Sequence, residues 1–182
     1  MPADSSFTNE TIDLNLLPKY EEIVLKQPHK DYWKIICINL LIFFGILGIG
    51  TGAFLLLFEE IRPNAVWVIP VYFTLAVISF LLYHLSFKKR GYALRTHDVI
   101  YKSGIIAEST TIVPLNRIQH IELNEGIFSR IYKLGSLQLF TAGGQSGHIH
   151  ISGIAIDEAK SIRDLLLKKL DLLENPPPET EA

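Results

Sequence analysis

Two stretches decide how this chain must fold: IICINLLIFFGILGIGTGAFLLLF at residues 35–58 and AVWVIPVYFTLAVISFLLYHLSF at residues 65–87. The first has no ionisable side chain apart from the Cys37 thiol, and the second has only His84, near its end. A helix of about 20 apolar residues crosses the roughly 30 Å hydrocarbon core of a bilayer, so each run is long enough, with some tilt. No water is available in that core to satisfy peptide groups, which commits both runs to helix despite their β-branched residues. Helices in soluble cores rarely stay apolar for so long without a polar face. The link Glu59-Glu60-Ile61-Arg62-Pro63-Asn64 is too short for anything but a tight helical hairpin, and Pro63 and Asn64 suit the start of a helix.

Basic residues near the ends of these runs predict their orientation. Lys19, Lys26, Lys30 and Lys34 precede the first run, Lys88, Lys89, Arg90 and Arg95 follow the second, and Arg62 stands alone between them. Positive charge is retained on the cytoplasmic side. The expectation is therefore a multi-pass protein of the cell (inner or plasma) membrane, with both termini cytoplasmic. Met1–Glu10 is polar and has no basic start followed by an apolar stretch, so the first helix is expected to act as its own insertion signal. Tyr32, Trp33, Trp67 and Tyr83 fall where interfacial aromatic anchors belong. Gly45, Gly48, Gly50 and Gly52 give the first helix a thin face, and the Gly48–Gly52 spacing allows close backbone approach, either within the hairpin or against a partner subunit. Pro70 is expected to kink the second helix. Nothing polar enough for an ion or substrate path occurs in either run, which argues against a channel or transporter.

Working outward, residues 1–34 form an N-terminal segment, 59–64 an external loop, 88–173 a cytoplasmic domain and 174–182 a polar, proline-containing tail expected to be disordered. The formal net charge is −2 on 182 residues, so no global field marks a nucleic-acid binder. One cysteine cannot make an internal disulfide, and Cys37 reads as a small apolar residue.

Beyond Arg90 the pattern changes to short β-branched runs separated by turn signals. Strands are predicted near Gly91–Thr96, Val99–Ser103, Ile105–Val113, Arg117–Leu123, Ser136–Thr141 and His148–Ser152, with turns at His97-Asp98, Ser103-Gly104, Pro114–Asn116 and Gly143–Gly147. Ile118 and Ile121 break strict alternation, which marks a bulge. Ile127, Phe128 and Ile131 suggest a short helical connection. A closing helix follows, with Asp157 as N-cap, an apolar stripe of Ala159, Ile162, Leu165, Leu166 and Leu170, and Lys168-Lys169 complementing its C-terminal dipole.

These words, in order, carry a resemblance: Tyr92–Thr96, Gly104-Ile-Ile, Ile112–Leu115, Arg117–Ile121, Arg130, and Leu134-Gly-Ser-Leu-Gln-Leu139 through Thr141–Gly143. The unit resembles the bacterial pleckstrin-homology (PH-like) domain type 2. The helices, with the preceding phrase Gln27-Pro-His-Lys-Asp-Tyr-Trp33, resemble the YdbS-type membrane proteins that carry it. The likeness runs from about Glu21 to Leu170. It implies a membrane α-helical hairpin plus a β-rich domain of two orthogonal antiparallel sheets capped by a C-terminal helix. It implies no catalytic residues.

The remaining candidates for chemistry have plainer explanations. His148 and His150, with His120 or His97, have nitrogen ligands for a metal, but the sequence places no acidic or cysteine partner, so no metal site is assigned. Glu59-Glu60 and Asp157-Glu158 are paired carboxylates without an acid–base partner. Ser146 sits among glycines as a hairpin tip and not as a nucleophile elbow. Lys88, Lys89 and Arg90 fix topology and are placed to hold anionic headgroups. The expected function is a non-enzymatic membrane-anchored adaptor or assembly module, in contact with the lipid bilayer and binding a membrane protein partner or a second copy. No cofactor, nucleic acid or small-molecule substrate is expected. The alternative is a module that binds anionic lipid.

Overall fold

The computed structural model describes residues 23–105, 107–142 and 148–174. The expected tail apart from Glu174, which ends the last helix, together with the Gly143–Gly147 turn and Lys19, lies outside these. Two helices come first: α1 (Lys30–Leu57) and α2 (Ala65–Lys89), both long and apolar enough to cross a membrane. Between them a single turn of 3-10 helix, Arg62–Asn64, reverses the chain, and the Arg62 guanidinium donates to the Leu56 carbonyl at 3.1 Å. That bond satisfies one of the carbonyls that any helix leaves open at its C-terminus. α2 continues through Pro70.

The domain then builds two three-stranded antiparallel sheets. β1 (Gly91–Leu94), β2 (Asp98–Ser103) and β3 (Ser109–Pro114) form the first, in that order. β4 (Ile118–Asn124), β5 (Leu134–Thr141) and β6 (Ile149–Ala155) form the second, with the short α3 (Ile127–Ile131) joining β4 to β5. The last element, α4 (Ile156–Glu174), packs against all three strands of the second sheet. Period-two alternation in β5 and β6 buries Leu137, Leu139, Ile149 and Ile151 in one core with Val99 of β2 and with Ala159 and Leu166 of α4. This is the helical hairpin plus β-rich, helix-capped domain that the resemblance implies.

The anticipated bulge is present: pairing of β4 with β5 shifts between Ile118 and His120, so Ile118 and Ile121 are both buried while Gln119 and His120 face out. Other expectations are corrected. α4 begins at Ile156, directly after β6, because Leu134 pairs with Ala155 and the Ile156 N–H donates to the Lys133 carbonyl at 3.0 Å; Asp157 therefore lies in the first turn and is no N-cap. Leu165 drops out of the apolar stripe and is half exposed. The helix runs beyond Lys168 and Lys169, which leaves no basic residue in its last turn, and Lys169 instead donates to the Thr96 carbonyl at 2.8 Å. Ile105 is outside β3, which starts at Ser109, since Lys89 holds the Ile105 carbonyl at 2.9 Å in the turn. β6 extends past Ser152 to Ala155.

The residues just before α1 stitch the hairpin to the domain. Lys26 forms an antiparallel bridge with Tyr92, exchanging two backbone hydrogen bonds of 2.8 and 2.9 Å, which covers part of the free edge of β1. The His29 N–H donates to the Gly153 carbonyl at 2.7 Å. Gly153 has φ +79°, and a Cβ there would lie 2.5 Å from the ring of Tyr32. Gly91 likewise leaves room for Leu25, whose Cβ would be 2.9 Å from an added methyl. Two bare backbone positions in the domain thus receive one side chain of the pre-helix segment, Leu25, and one from the first turn of α1, Tyr32.

We expect Gly153→Ala to destabilise the full chain in detergent by roughly 2 kcal/mol, from left-handed backbone strain plus displacement of Tyr32. Gly50→Ala, where no atom lies within 4 Å of the added Cβ, should be neutral or slightly stabilising in the same thermal unfolding assay. Equal effects from both would show that the Gly153 contact is unimportant.

Candidate functional site

A cluster of charged side chains gathers where α2 hands over to β1. Lys88 and Lys89 close α2, and Arg90 follows in extended backbone, φ −76° and ψ 139°. The change from helix to strand points three consecutive basic residues toward three different surroundings. Lys88 is exposed, and its carbonyl accepts from the Gln27 side chain at 3.4 Å. Lys89 pairs with Glu108 at 3.0 Å. Arg90 donates to Ser86 Oγ at 3.3 Å, and no carboxylate among the described residues lies within ion-pair distance of it.

Glu108 is also held by Lys102 at 2.7 Å. Hydrogen bonds from Lys102 and then Lys89 keep its carboxyl at about 2, well below its ordinary value. This ties the β2–β3 turn to the membrane end of α2. On the other side of the joint Glu158 accepts from Lys26 at 2.6 Å and from the Tyr92 hydroxyl at 3.1 Å. Burial, then the Glu158 charge, push the Tyr92 phenol upward, so it remains a donor. Burial likewise raises Tyr101.

Two clefts meet at Arg90. One, of about 470 Å³, runs between the helices and is lined by Tyr32, Ile36, Leu40, Phe43 and Tyr83. The other, of about 630 Å³, lies on the domain side among Ser86, Tyr101, Ser103, His150 and Ser152.

The remaining sequence candidates are dispersed. Gly48 faces Tyr72, whose hydroxyl also donates to the Phe44 carbonyl at 2.6 Å, while Gly45 and Gly52 meet no atom within 4 Å. Trp33 stacks edge-on against Phe80 and His84, at 5.2 and 4.8 Å between centroids. Trp67 is 75% exposed near the hairpin turn, and Tyr83 is about half exposed. His148 Nδ1 accepts from the Thr141 amide and its ring, like that of His120, rests on Phe140. His150 lies apart, in the domain-side cleft. Among the described residues, no group of three or more His, Cys, Asp or Glu could hold a metal. Sequence reasoning missed Glu108 and Gly153 and gave Glu158 no partner, since none of the three carries a local signal of its distant contact.

Because Glu108 titrates below its ordinary value of 4.5, its ion pairs contribute fully above about pH 4.5 and fade as pH falls toward 2. A carboxyl ¹³C titration should place its midpoint near 2, rising toward 4.5 in Lys102→Met. A midpoint near 4.5 in the unmodified chain would contradict the triad.

The profile of the bacterial PH domain matches residues 41–170, which takes in most of both helices as well as the sheets. The chain is 28% identical over 102 residues to the UPF0699 transmembrane protein YdbS of Bacillus subtilis strain 168, covering 56% of this chain and 59% of that protein. It is 26% identical over 86 residues to the UPF0699 transmembrane protein YdbT of the same organism, covering 47% of this chain and 17% of that protein. The chain therefore spans less than two thirds of either relative. No solved structure matches. With the match extending over the hairpin and the helix-capped sheets alike, this chain belongs to the bacterial PH domain family, as a membrane protein in contact with the lipid bilayer.

Proposed function

We propose that the chain is a multi-pass protein of the cell membrane with both ends cytoplasmic, and that it serves as a non-enzymatic assembly module, presenting its PH-like domain for protein binding or self-association. The orientation is supported by Lys26, Lys30, Lys34, Lys88, Lys89 and Arg90 at one end of the hairpin, against Arg62 with Glu59 and Glu60 at the other. In this reading residues 59–64 are external and residues 88–173 are held at the inner surface.

The observation that carries the reading is the contrast between the edges of the first sheet. The β1 edge is bridged by Lys26, whereas β3, with half-exposed Ile112, pairs only with β2 among the described strands. An edge held at a fixed height above the bilayer can accept a strand from a partner, with backbone hydrogen bonds giving affinity. Non-catalytic work suits the carboxylates at the joint, because Glu108 and Glu158 are each committed to two donors.

A photo-crosslinking residue at Ile112 in native membranes is expected to capture a defined partner or a second copy, whereas one at Trp67 should give only lipid adducts. Absence of any protein adduct along β3 would contradict the assembly reading. Separately, Lys88, Lys89 and Arg90 replaced together by Glu should disturb insertion, read by accessibility of a cysteine placed at Asn64 from outside intact cells.

A further inference from the structure

The groove between α1 and α2 differs in kind from ordinary lipid-facing surface. A second groove between the same helices, about 340 Å³, is lined by Cys37, Leu41, Phe44, Phe73 and Phe80 and offers almost nothing polar. Acyl chains can cover it without recognition. The groove that reaches Arg90 has an apolar floor of Ile36, Leu40 and Phe43, but adds Asn39 and Ser79 along its length. It ends at a guanidinium whose one hydrogen-bond partner among the described residues is a serine hydroxyl.

A cation at the edge of hydrocarbon is costly unless neutralised. Lys89 solves this with Glu108, but Arg90 has no such carboxylate among the described residues. We infer that an anionic phospholipid of the surrounding bilayer occupies this place, its phosphate on Arg90 and one acyl chain along Ile36, Leu40 and Phe43. The planar guanidinium suits two phosphate oxygens at once, which an ammonium does not. The groove volume, about 470 Å³, lies in the range of ligand sites, about 300 to 1,000 Å³.

The domain-side cleft indicates the headgroup. It begins at the same Arg90 and is lined by the hydroxyl-bearing Tyr101, Ser103 and Ser152 with His150, and by no carboxylate among the described residues. A polyol headgroup such as glycerol finds donors and acceptors there, whereas a quaternary ammonium finds no counter-ion. The lipid would thus touch α1, α2, β2 and β6 together and bind the hairpin to the domain. This inference rests on the membrane placement of the hairpin and not on protein capture at β3.

The test uses the full-length chain, delipidated in neutral detergent, with bound lipid counted by native mass spectrometry. Phosphatidylglycerol is expected to bind one to one, and more tightly than phosphatidylcholine, diacylglycerol or soluble glycerol phosphate. Arg90→Gln should weaken it about five- to tenfold, and Ser79→Trp, which fills the groove, should do so while leaving the charge in place. Lys88→Gln should change it less than twofold. Equal loss in Lys88→Gln would replace the site by diffuse surface charge. Equal binding of diacylglycerol or phosphatidylcholine, tight binding of glycerol phosphate alone, or unchanged binding in both Arg90→Gln and Ser79→Trp would overturn the inference. Loss of β3 crosslinks with phosphatidylglycerol binding intact would count against the assembly reading alone.

Discussion

The structure depends on a short stretch of extended backbone, Leu25 to His29, being hydrogen-bonded to both sheets of the domain at once. Lys26 exchanges two bonds with Tyr92 of β1, and His29 donates to Gly153 of β6. An unsatisfied buried peptide group is expensive, so these bonds resist opening more than their modest net contribution suggests. They turn what would be a flexible tether into a joint, since α1 leaves this segment immediately at Lys30. Everything polar nearby is arranged around that joint: Glu158 from α4, Gln27 against Lys88, and Tyr32 over the bare backbone of Gly153.

A rigid joint changes what the domain can do. The sheet edge, the domain-side cleft and the groove between the helices hold fixed positions relative to one another. Arg90 is the point where all of this converges, one residue beyond α2 and one before β1. Its neighbour Lys89 is neutralised within the chain, and Lys88 is free to face water or headgroups. Three adjacent basic residues therefore divide among a structural tie, a surface charge and a cation in a cleft that has no carboxylate partner among the described residues.

The large features were legible in the sequence because each has a local cause. Length without charge gave both helices, and the closeness of Ile118 to Ile121 gave the bulge in β4. What escaped reading depends on partners far along the chain. Nothing around Asp157 reveals that Lys133 already satisfies the Ile156 amide and leaves no room for a capping residue. Nothing around Ile105 shows that Lys89 will hold its carbonyl and delay β3. The apolar stripe expected on α4 is one residue too wide at Leu165, since a helical pattern shows a face but not how much of that face the sheet covers. The candidate site suffered most. Its basic run was visible, but the acids, hydroxyls and glycines that sort those charges arrive from β1, β2, the β2–β3 turn, β6 and α4.

The account turns on the joint being closed in a bilayer, and amide hydrogen exchange of the full chain in lipid nanodiscs addresses it directly. The amides of Lys26, His29 and Tyr92 should be protected to a degree comparable with those at the centre of β5. Exchange of these three at free-peptide rates, while β5 stays protected, would mean that the domain hangs loosely from its helices and that the account is wrong.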